Sequence, residues 1–494
     1  MPSPWLLAVL ALAASLRFWG LGHQSIWWDE AYSLDWANRS PAGTIAVLQN
    51  DVHPPLYYLV LGFWMKGVGP GVEGARFLSA LIGLAGVGAA YLLGRDMFRR
   101  TVGALFALFV AVSEFHIYHS QEIRSYGMLF LTAVLSMHAY WNLWNGKGDR
   151  RWRLAYYIIA STALLYTHFT GIFVVAAQFA HRGISLAMKP DRAGLRQWLV
   201  SQAVVALAFL PWALVLLRQA GRVESGFWIP SPTLDMAGGP DFSVTGTFYQ
   251  FTGSPFRAWI MWLFVLNGVA AVSLAGLNRS KNPDDSESYD PYPARKILLL
   301  VAWLAASILL PYFQSVFSQP VYLSRAMSPA LAPFLLLVAV GIGRLRNPVV
   351  LGFAALLVVG LAGPGLGEYY NTEFKEPWKE AVASIDAGAA PNATVVLLAW
   401  NEVPFAAYDA RPDLHLVVVG PSGNAPAETL NRTVNSTDIW LLGSPNHGDP
   451  AAVAAAVSGS HGPGMPQTFA AEGLAPFPAA ANPVQVYHWT RPAP

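Results

Sequence analysis

The sequence predicts a multispan α-helical membrane protein with a small α/β domain at its carboxyl end. Hydrophobic residues make up 54% and charged residues 12% of the 494 residues, whereas soluble proteins carry about 25% charged residues. Apolar runs of about 20 residues, the length that crosses a bilayer, recur up to about residue 367. Beyond that point the apolar runs shorten to strand length and alternate with helix-compatible segments.

The long apolar runs predict about eleven transmembrane helices. The candidates lie at 4–22, 75–94, 101–119, 125–145, 154–168, 170–188, 197–217, 256–277, 296–316, 325–343 and 348–367. Lys and Arg gather in alternate loops, near 95–100, 147–153, 182–196, 279–296 and 344–346. The positive-inside rule assigns such loops to the cytoplasm. We therefore predict a multi-pass protein of the cell membrane whose first long loop, 218–255 loop and tail face outside.

The regions between and after these spans predict structure of their own. In the first outer loop, about 23–74, aromatic-rich segments at 31–38 and 56–68 predict helices that lie along the interface. For the tail we predict strands at 394–399, 415–419 and 438–442 and helices at 378–386 and 450–457. The chain thus divides into a transmembrane domain, 1–367, and a soluble extracytoplasmic α/β domain, 368–494.

Composition excludes several classes of function. The net charge of +2 is too small to indicate a nucleic-acid partner. The chain contains no cysteine, which removes disulfides, thiol catalysis and thiolate metal sites. It also lacks a Gly-rich loop of the Walker or dinucleotide type, which argues against a soluble nucleotide-sugar donor.

Two adjacent acids, Asp29 and Glu30, follow the first apolar run within WWDEAYSLDW. Indole and phenol rings favour the lipid–water boundary, so these carboxylates are expected at the depth of lipid headgroups. A carboxylate in a partly dehydrated place suits a general base that takes a hydroxyl proton. Alternatively, both residues are simply first-turn acids of an interfacial helix. We predict that both are catalytic.

The outer end of the third predicted span reads SEFHIYHSQEIRSY, residues 113–126. In a continuous helix, His116, His119 and Glu122 would share one face. This stripe could hold a divalent cation or form a hydrogen-bond ladder, so we assign no metal ligand and leave a divalent cation open. Ionisable groups at membrane depth are costly and favour function, and we predict Glu122 as a second active-site acid.

Other cationic or polar side chains gather at the same predicted face. Arg124 is expected to contact an anion, with Tyr126 beside it as a substrate contact. His53 precedes the rigid Pro54-Pro55 pair and could donate to a phosphate or orient an acceptor.

Three further residues lie near the outer ends of predicted spans. Arg17 lies inside the first run, where snorkelling to headgroups and contact with a lipid phosphate are equally plausible. Arg325 opens an outer-facing span, and we predict a phosphate contact. His168, in YTHFTG, could bind substrate or only cap a helix. Together, acids that deprotonate a hydroxyl and cations that neutralise a departing phosphate fit sugar transfer from a polyprenyl phosphate.

An ordered set of motifs resembles the GT-C superfamily of membrane glycosyltransferases. Within this superfamily, the set resembles the protein-mannosyltransferase and aminoarabinose-transferase branch in its bacterial and archaeal form. The matching pieces are Arg17 with WWDEAYSLDW, then HPPLYYL, SEFHIYHSQEIRSYGMLFL, YTHFTG, YLSRAMSPAL and EYYNTEFKEPWKEAVASI. They cover the membrane half of the chain and the start of the tail.

The resemblance implies an inverting transfer from a dolichyl- or undecaprenyl-phosphate sugar, of hexosyl or mannosyl type. Asp29 would match the base that activates the acceptor, and Glu122 the second acidic position. His53 would match the polar position before the family's Pro, and Arg124 and Arg325 the arginines near the lipid phosphate. This branch generally uses no metal, although oligosaccharyltransferase relatives need one. The short, generic tail assigns no acceptor, which could be protein, lipid or glycan.

A membrane transporter or a carrier that binds lipid or glycan is the competing class. It would explain charged residues within the membrane, but it would place them near mid-bilayer on broken helices in paired halves. Here the ionisable residues gather at one face, which favours an enzyme. A tail that senses a ligand from a membrane anchor is a third interpretation, but about eleven spans exceed what an anchor needs.

Overall fold

The computed structural model describes residues 4–223, 228–277, 293–409, 411–420, 425–433, 435–445, 448–471 and 483–490. The chain forms two compact units. The membrane unit comprises Met1–Trp19, Arg39–Trp64 and Arg76–Tyr369, and the tail unit comprises Gly20–Asn38, Met65–Ala75 and Tyr370–Pro494. Two segments of the first outer loop therefore cluster with the tail. Of the predicted cytoplasmic loop at 278–293, residues 278–292 lie outside the described residues.

Helices dominate the chain. In order they are α1 (Pro4–Phe18), α2 (Trp28–Ala37), α3 (Pro41–Leu48), α4 (Leu56–Val68), α5 (Val72–Met97), α6 (Arg100–Ala111), α7 (Glu114–Ser120), α8 (Tyr126–Asn145), α9 (Arg150–Thr167), α10 (Gly171–Met188), α11 (Arg192–Val223), α12 (Val244–Thr252), α13 (Pro255–Leu277), α14 (Pro293–Phe317), α15 (Ser328–Gly343), α16 (Pro348–Gly360), α17 (Gly363–Asn371), α18 (Trp378–Gly388), α19 (Glu402–Ala406), α20 (Ala425–Thr433) and α21 (Pro450–His461). Every predicted span overlaps with helix, although those at 101–119 and 348–367 are each divided between two helices, and both predicted interfacial segments are helical as α2 and α4.

Six helical segments among the described residues are long and apolar enough to cross a membrane. They are Val72–Met97, Gly171–Met188, Arg192–Gln219, Ala294–Phe317, Ser324–Gly343 and Pro348–Asn371. The bent pair α6 and α7 would raise the number to seven. The chain is thus a multi-pass membrane protein, while the count of about eleven spans stays a prediction.

The outward faces of several of these helices are apolar. Leu207 and Leu217 on α11 are 67% and 72% exposed, and Phe353 on α16 is 69% exposed. Side chains of this kind gain free energy from a hydrocarbon surrounding, and a soluble protein rarely exposes so many together. These faces fit contact with lipid.

Helix α15 is buried along its whole length and forms the centre of the membrane unit. Its approach to α13 depends on glycine. A Cβ at Gly341 would lie 2.0 Å from the carbonyl oxygen of Phe264, so any side chain there would push the two backbones apart. Such contacts of small residues let helices pack closely in membranes.

The predicted span at 101–119 is broken. Helix α6 ends at Ala111, α7 begins at Glu114, and the two axes differ by 64°. Ser113 causes a new start, because its hydroxyl accepts a hydrogen bond from the His116 amide at 3.3 Å and caps α7. The expectation of one continuous helix was therefore wrong at this point.

The tail unit contains a five-stranded sheet in the order β2-β1-β3-β5-β4. The strands are β1 (Thr394–Leu398), β2 (His415–Val419), β3 (Asp438–Gly443), β4 (Met465–Phe469) and β5 (Val484–Thr490). The three predicted strands pair in parallel, whereas β5 is antiparallel to both β3 and β4. Val396, Val417 and Leu441 form its core with Val453 of α21. The small sheet is thus confirmed, and its two antiparallel strands were not predicted.

Candidate active-site clusters

In the tail unit, the two adjacent acids open helix α2 and have different surroundings. Glu30 is fully buried, and its Oε2 accepts a hydrogen bond from the Lys375 ammonium at 2.8 Å. The same oxygen accepts a hydrogen bond from the Trp27 amide at 3.5 Å, which satisfies one free donor at the start of α2. Asp29 is only half-buried in the first turn. These contacts favour an anchoring role for Glu30, and its predicted catalytic role stays a prediction.

The aromatic side chains of α2 form a ladder at four-residue spacing. The ring centroids of Trp28 and Tyr32 lie 4.5 Å apart, and those of Tyr32 and Trp36 lie 5.9 Å apart. Burial, followed by the carboxylates of Glu402 and Asp35, raises the pKa of Tyr32. Tyr32 is therefore a neutral phenol at physiological pH, able to donate a hydrogen bond but not to act as a base.

In the membrane unit, cationic and imidazole side chains surround the ring of Tyr126. The guanidinium carbons of Arg124 and Arg325 lie 5.7 Å and 5.9 Å from its centroid, within cation–π range. The rings of His119 and His168 lie 5.1 Å and 5.9 Å away. We call Arg124, Arg325, His53 and His168 around this ring the cationic cluster. These four residues and Tyr126 were all predicted from sequence as contacts of the donor phosphate or of a substrate.

His53 joins this cluster through a chain of hydrogen bonds. Arg124 Nη2 lies 2.9 Å from His53 Nε2, and Arg124 Nη1 lies 3.4 Å from the Tyr58 hydroxyl. Because arginine only donates, Nε2 must accept, so the imidazole proton is assigned to Nδ1. That nitrogen contacts Asp51 Oδ1, which also accepts the Val52 amide at 2.7 Å. Asp51, which was not singled out from the sequence, thus fixes the tautomer of His53.

Asp51 supplies a pH-dependent part of the stability. Burial alone would raise its pKa, but contact with His53 and the charge of Arg124 outweigh burial and lower the pKa from 3.8 to about 2. The ionised form is therefore favoured in the folded state. Its stabilisation is complete above the unfolded pKa and is lost as pH falls through the folded value.

We expect Asp51→Asn to lower the free energy of unfolding at pH 7 by about 1–2 kcal/mol after allowance for solvent screening. The deficit relative to wild type should shrink as pH falls from about 4 towards about 2, because the wild-type carboxylate is then protonated. Thermal unfolding of both proteins in detergent across this pH range measures the difference. A deficit that is constant with pH would contradict the assignment.

Positions around the cluster are fixed by loops from distant parts of the chain. His168 Nδ1 lies 2.9 Å from the Thr170 hydroxyl oxygen. That hydroxyl donates its proton to the carbonyl of Ala326 at 3.1 Å. Arg325 belongs to a short 3₁₀ turn, Ser324–Met327, whose first amide donates to the carbonyl of Asp241 at 2.9 Å. Hydrogen bonds thus join the turn that carries Arg325 to the turn that carries His168.

His116, His119 and Glu122, which were predicted to share one helix face, belong to two separate groups of contacts. Helix α7 ends at Ser120, so Glu122 lies beyond it. His119 Nδ1 contacts Glu122 Oε2 at 2.9 Å, whereas His116 Nδ1 contacts Arg17 Nη2 at 2.9 Å. The expected single face was therefore wrong. Among the described residues, no group of three or more His, Asp and Glu side chains is arranged to hold a metal ion.

Arg17 is fully buried at the break between α6 and α7. Its guanidinium donates to the carbonyls of Ala111 and Val110, each at 3.0 Å, and to that of Ala13 at 3.1 Å. The last carbonyls of a helix lack partners within the helix and carry partial negative charge. These contacts favour a helix-capping role, and the predicted phosphate contact of Arg17 stays a prediction.

Gln121 makes similar contacts with the carbonyl groups at the end of α1. Its amide donates to the carbonyls of Arg17 and Trp19 at 3.0 Å and 2.8 Å, at the end of α1. The Tyr369 hydroxyl donates to Gln121 Oε1 at 2.6 Å. Sequence reasoning missed Gln121, because no local pattern connects residues about a hundred positions apart.

A buried ion pair was also missed. Glu114 and Arg257 are 3% and 2% exposed, and Arg257 Nη1 lies 2.9 Å from Glu114 Oε1. A Cβ at Gly253 or Gly365 would lie 2.2 Å or 2.4 Å from Glu114 Oε2. The two glycines therefore make room for the carboxylate. Ionisable residues inside predicted apolar segments were the available signal.

Comparisons with known proteins agree with this architecture. Residues 44–224 match the family model "Dolichyl-phosphate-mannose-protein mannosyltransferase". The fold resembles ArnT from Cupriavidus metallidurans bound to undecaprenyl phosphate, with 13% identity, a TM-score of 0.60 and coverage of 99% of this chain and 98% of that one. It also resembles the archaeal oligosaccharyltransferase AglB from Archaeoglobus fulgidus, in complex with an inhibitory peptide and a dolichol-phosphate.

For AglB the identity is 13%, the TM-score 0.55, and the coverage 89% of this chain and 69% of that one. The mycobacterial arabinofuranosyltransferase AftD matches all of this chain over 40% of its own length, at 15% identity and a TM-score of 0.53. A comparison with curated protein sequences gave no match. The chain therefore has the fold of GT-C glycosyltransferases, and the resemblance drawn from its motifs is confirmed.

Proposed function

We propose that this protein transfers a sugar from a polyprenyl-phosphate donor to an acceptor hydroxyl at the outer membrane face. The observation that carries the proposal is the cationic cluster, in which two guanidinium groups flank one ring. Arg124 and His168 both lie within the region that matches the mannosyltransferase family model. Guanidinium groups suit phosphate because they present donors in a planar fork.

The cluster is proposed to stabilise the leaving group. As the bond between the sugar and the phosphate breaks, its electron pair stays on the phosphate oxygen. Positioned cations stabilise charge where it develops, and this is often the largest single contribution to catalysis. Arg124, held by His53 and Tyr58, needs little reorganisation for that task. The product would be free polyprenyl phosphate.

Asp29 is proposed as the general base. The acceptor oxygen would attack the anomeric carbon while its proton passes to the Asp29 carboxylate, giving inversion in one displacement. A half-buried carboxylate at the start of α2, beside an aromatic ladder, suits this role. Glu122, held by His119 at 2.9 Å, is proposed as the second acid.

The proposed membrane orientation is supported by the direction of Ser324–Gly343, one of the six candidate spans. This span begins beside Arg325 of the cluster and ends just before the basic loop that carries Arg344 and Arg346. Its 20 residues can cross the hydrocarbon core, which is about 30 Å thick. We therefore propose that the cluster faces outside, with the basic loop in the cytoplasm, about eleven spans in total and the tail domain extracytoplasmic.

A donor panel tests the function. Purified protein in proteoliposomes would be incubated with polyprenyl phosphates carrying different hexoses, mannose among them, together with peptide, lipid-linked glycan and polysaccharide acceptors. Release of polyprenyl phosphate together with a glycosylated acceptor is the expected result. Movement of intact donor across the bilayer without release would instead support a transporter or carrier.

A further inference from the structure

The segment of the tail unit that leads into α2 is hydrogen-bonded to residues that follow the last predicted span. Gln24 Nε2 donates to the carbonyl of Thr372 at 2.6 Å, and the Phe374 amide donates back to Gln24 Oε1 at 3.1 Å. The Ile26 amide donates to the Tyr408 hydroxyl at 2.6 Å. This connection involves the backbone on both sides, so it fixes where the chain enters α2.

Two charged residues of the tail complete this connection at the first turn of α2. Lys375 Nζ contacts Glu30 Oε2 at 2.8 Å, and the two side chains are 5% and 0% exposed. Glu376 Oε2 accepts the Trp28 amide at 3.2 Å and the Trp378 indole N–H at 2.8 Å. A buried carboxylate needs such a partner, because an unpaired charge is costly to desolvate.

Asp29 lies between the two residues that are held. We infer that Lys375, acting through Glu30, is a positioning residue that sets the place of the Asp29 carboxylate. This inference rests on the proposed function and extends it to a residue far along the chain. Lys375 itself touches neither sugar nor phosphate in this account. It belongs to the motif EFKEPWK, so the tail contributes to catalysis through α2.

The inference predicts different effects of a Lys375 substitution on kcat and on the KM for the donor. A displaced base slows the chemical step, and a misplacement of about 1 Å can cost about 10²-fold in rate. The phosphate contacts proposed above all lie in the membrane unit, on other elements. Loss of Lys375 should therefore lower kcat and leave the KM for the donor nearly unchanged.

The kinetic experiment compares Lys375→Met with Lys379→Met in full-length protein in proteoliposomes. Lys379 lies four residues further on, is exposed, and contacts the carbonyl of Gly22 at 3.3 Å. We expect Lys375→Met to lower kcat about 10²-fold, Lys379→Met to match wild type, and Lys375→Arg to fall between them because it keeps the charge. Equal turnover of Lys375→Met and Lys379→Met would overturn the inference.

Hydrogen exchange gives a second readout that needs no activity. The amides of residues 28–32 should exchange at least about tenfold faster in Lys375→Met than in wild type. In Lys379→Met their exchange rate should be the same as in wild type. Lost turnover without faster exchange would overturn positioning as the cause.

If wild type releases no polyprenyl phosphate from any donor, the proposed function fails, and exchange alone decides whether Lys375 holds α2. Should Lys375→Met not yield monodisperse protein, Lys375→Gln, which retains a hydrogen-bond donor, takes its place with the same expectations.

Discussion

Replacing Asp29 with asparagine is expected to lower sugar transfer by about 10²–10⁴-fold, the usual contribution of a positioned base. The amide has nearly the same shape as the carboxylate but cannot take the acceptor's proton. Because Asp29 is only half-buried, the exchange should leave the folded protein in the membrane. The measurement is the rate of polyprenyl phosphate release in proteoliposomes at saturating donor.

Asp35→Asn is the matched control, because Asp35 lies on the same helix and is also half-buried. It should transfer at close to the wild-type rate. Near-normal transfer by Asp29→Asn would remove Asp29 from the role of base. Glu122 would then be the next acid to test, because it is proposed as the second acid and the third predicted acid, Glu30, is paired with Lys375.

The fold was largely predictable because its signals are local. Long apolar runs gave helices at every predicted span, and the short runs at β1, β2 and β3 gave strands. Strand β4 was not predicted, because its sequence, MPQTF, contains a proline and has no buried face. The break between α6 and α7 was also missed, although Ser113 carries the capping signal.

The candidate site was predictable in its residue types but not in its contacts. Arg124, Arg325 and His168 are predictable because ionisable groups at membrane depth are costly and favour function, and they meet around Tyr126. Contacts between residues that are far apart in the sequence produce no local sequence pattern. Lys375 lies 345 positions from Glu30, and Asp51 reveals its role only through the ring of His53.

Arg124→Met is expected to reduce kcat/KM for the donor by about 10²-fold, which corresponds to about 3 kcal/mol for a lost charged hydrogen bond. The reason is double. The donor phosphate loses a guanidinium, and His53 Nε2 loses the donor that lies 2.9 Å away and orients the ring. The effect should appear in both constants, a raised KM because the bound donor phosphate is already anionic and a lowered kcat because its charge grows as the bond breaks, measured by initial rates over a range of donor concentrations.

Arg124→Lys keeps the charge but loses the planar fork, so it should fall between Arg124→Met and wild type. Arg100→Met, at the exposed start of α6, is the control that removes an arginine away from the cluster. An unchanged donor KM in Arg124→Met would contradict phosphate binding by this residue. The comparison with Asp29→Asn is then decisive, because a base acts on the acceptor's proton and an arginine acts on the donor. If Asp29→Asn and Arg124→Met changed kcat and the donor KM in the same way, the roles of base and phosphate contact would not be divided between these two residues.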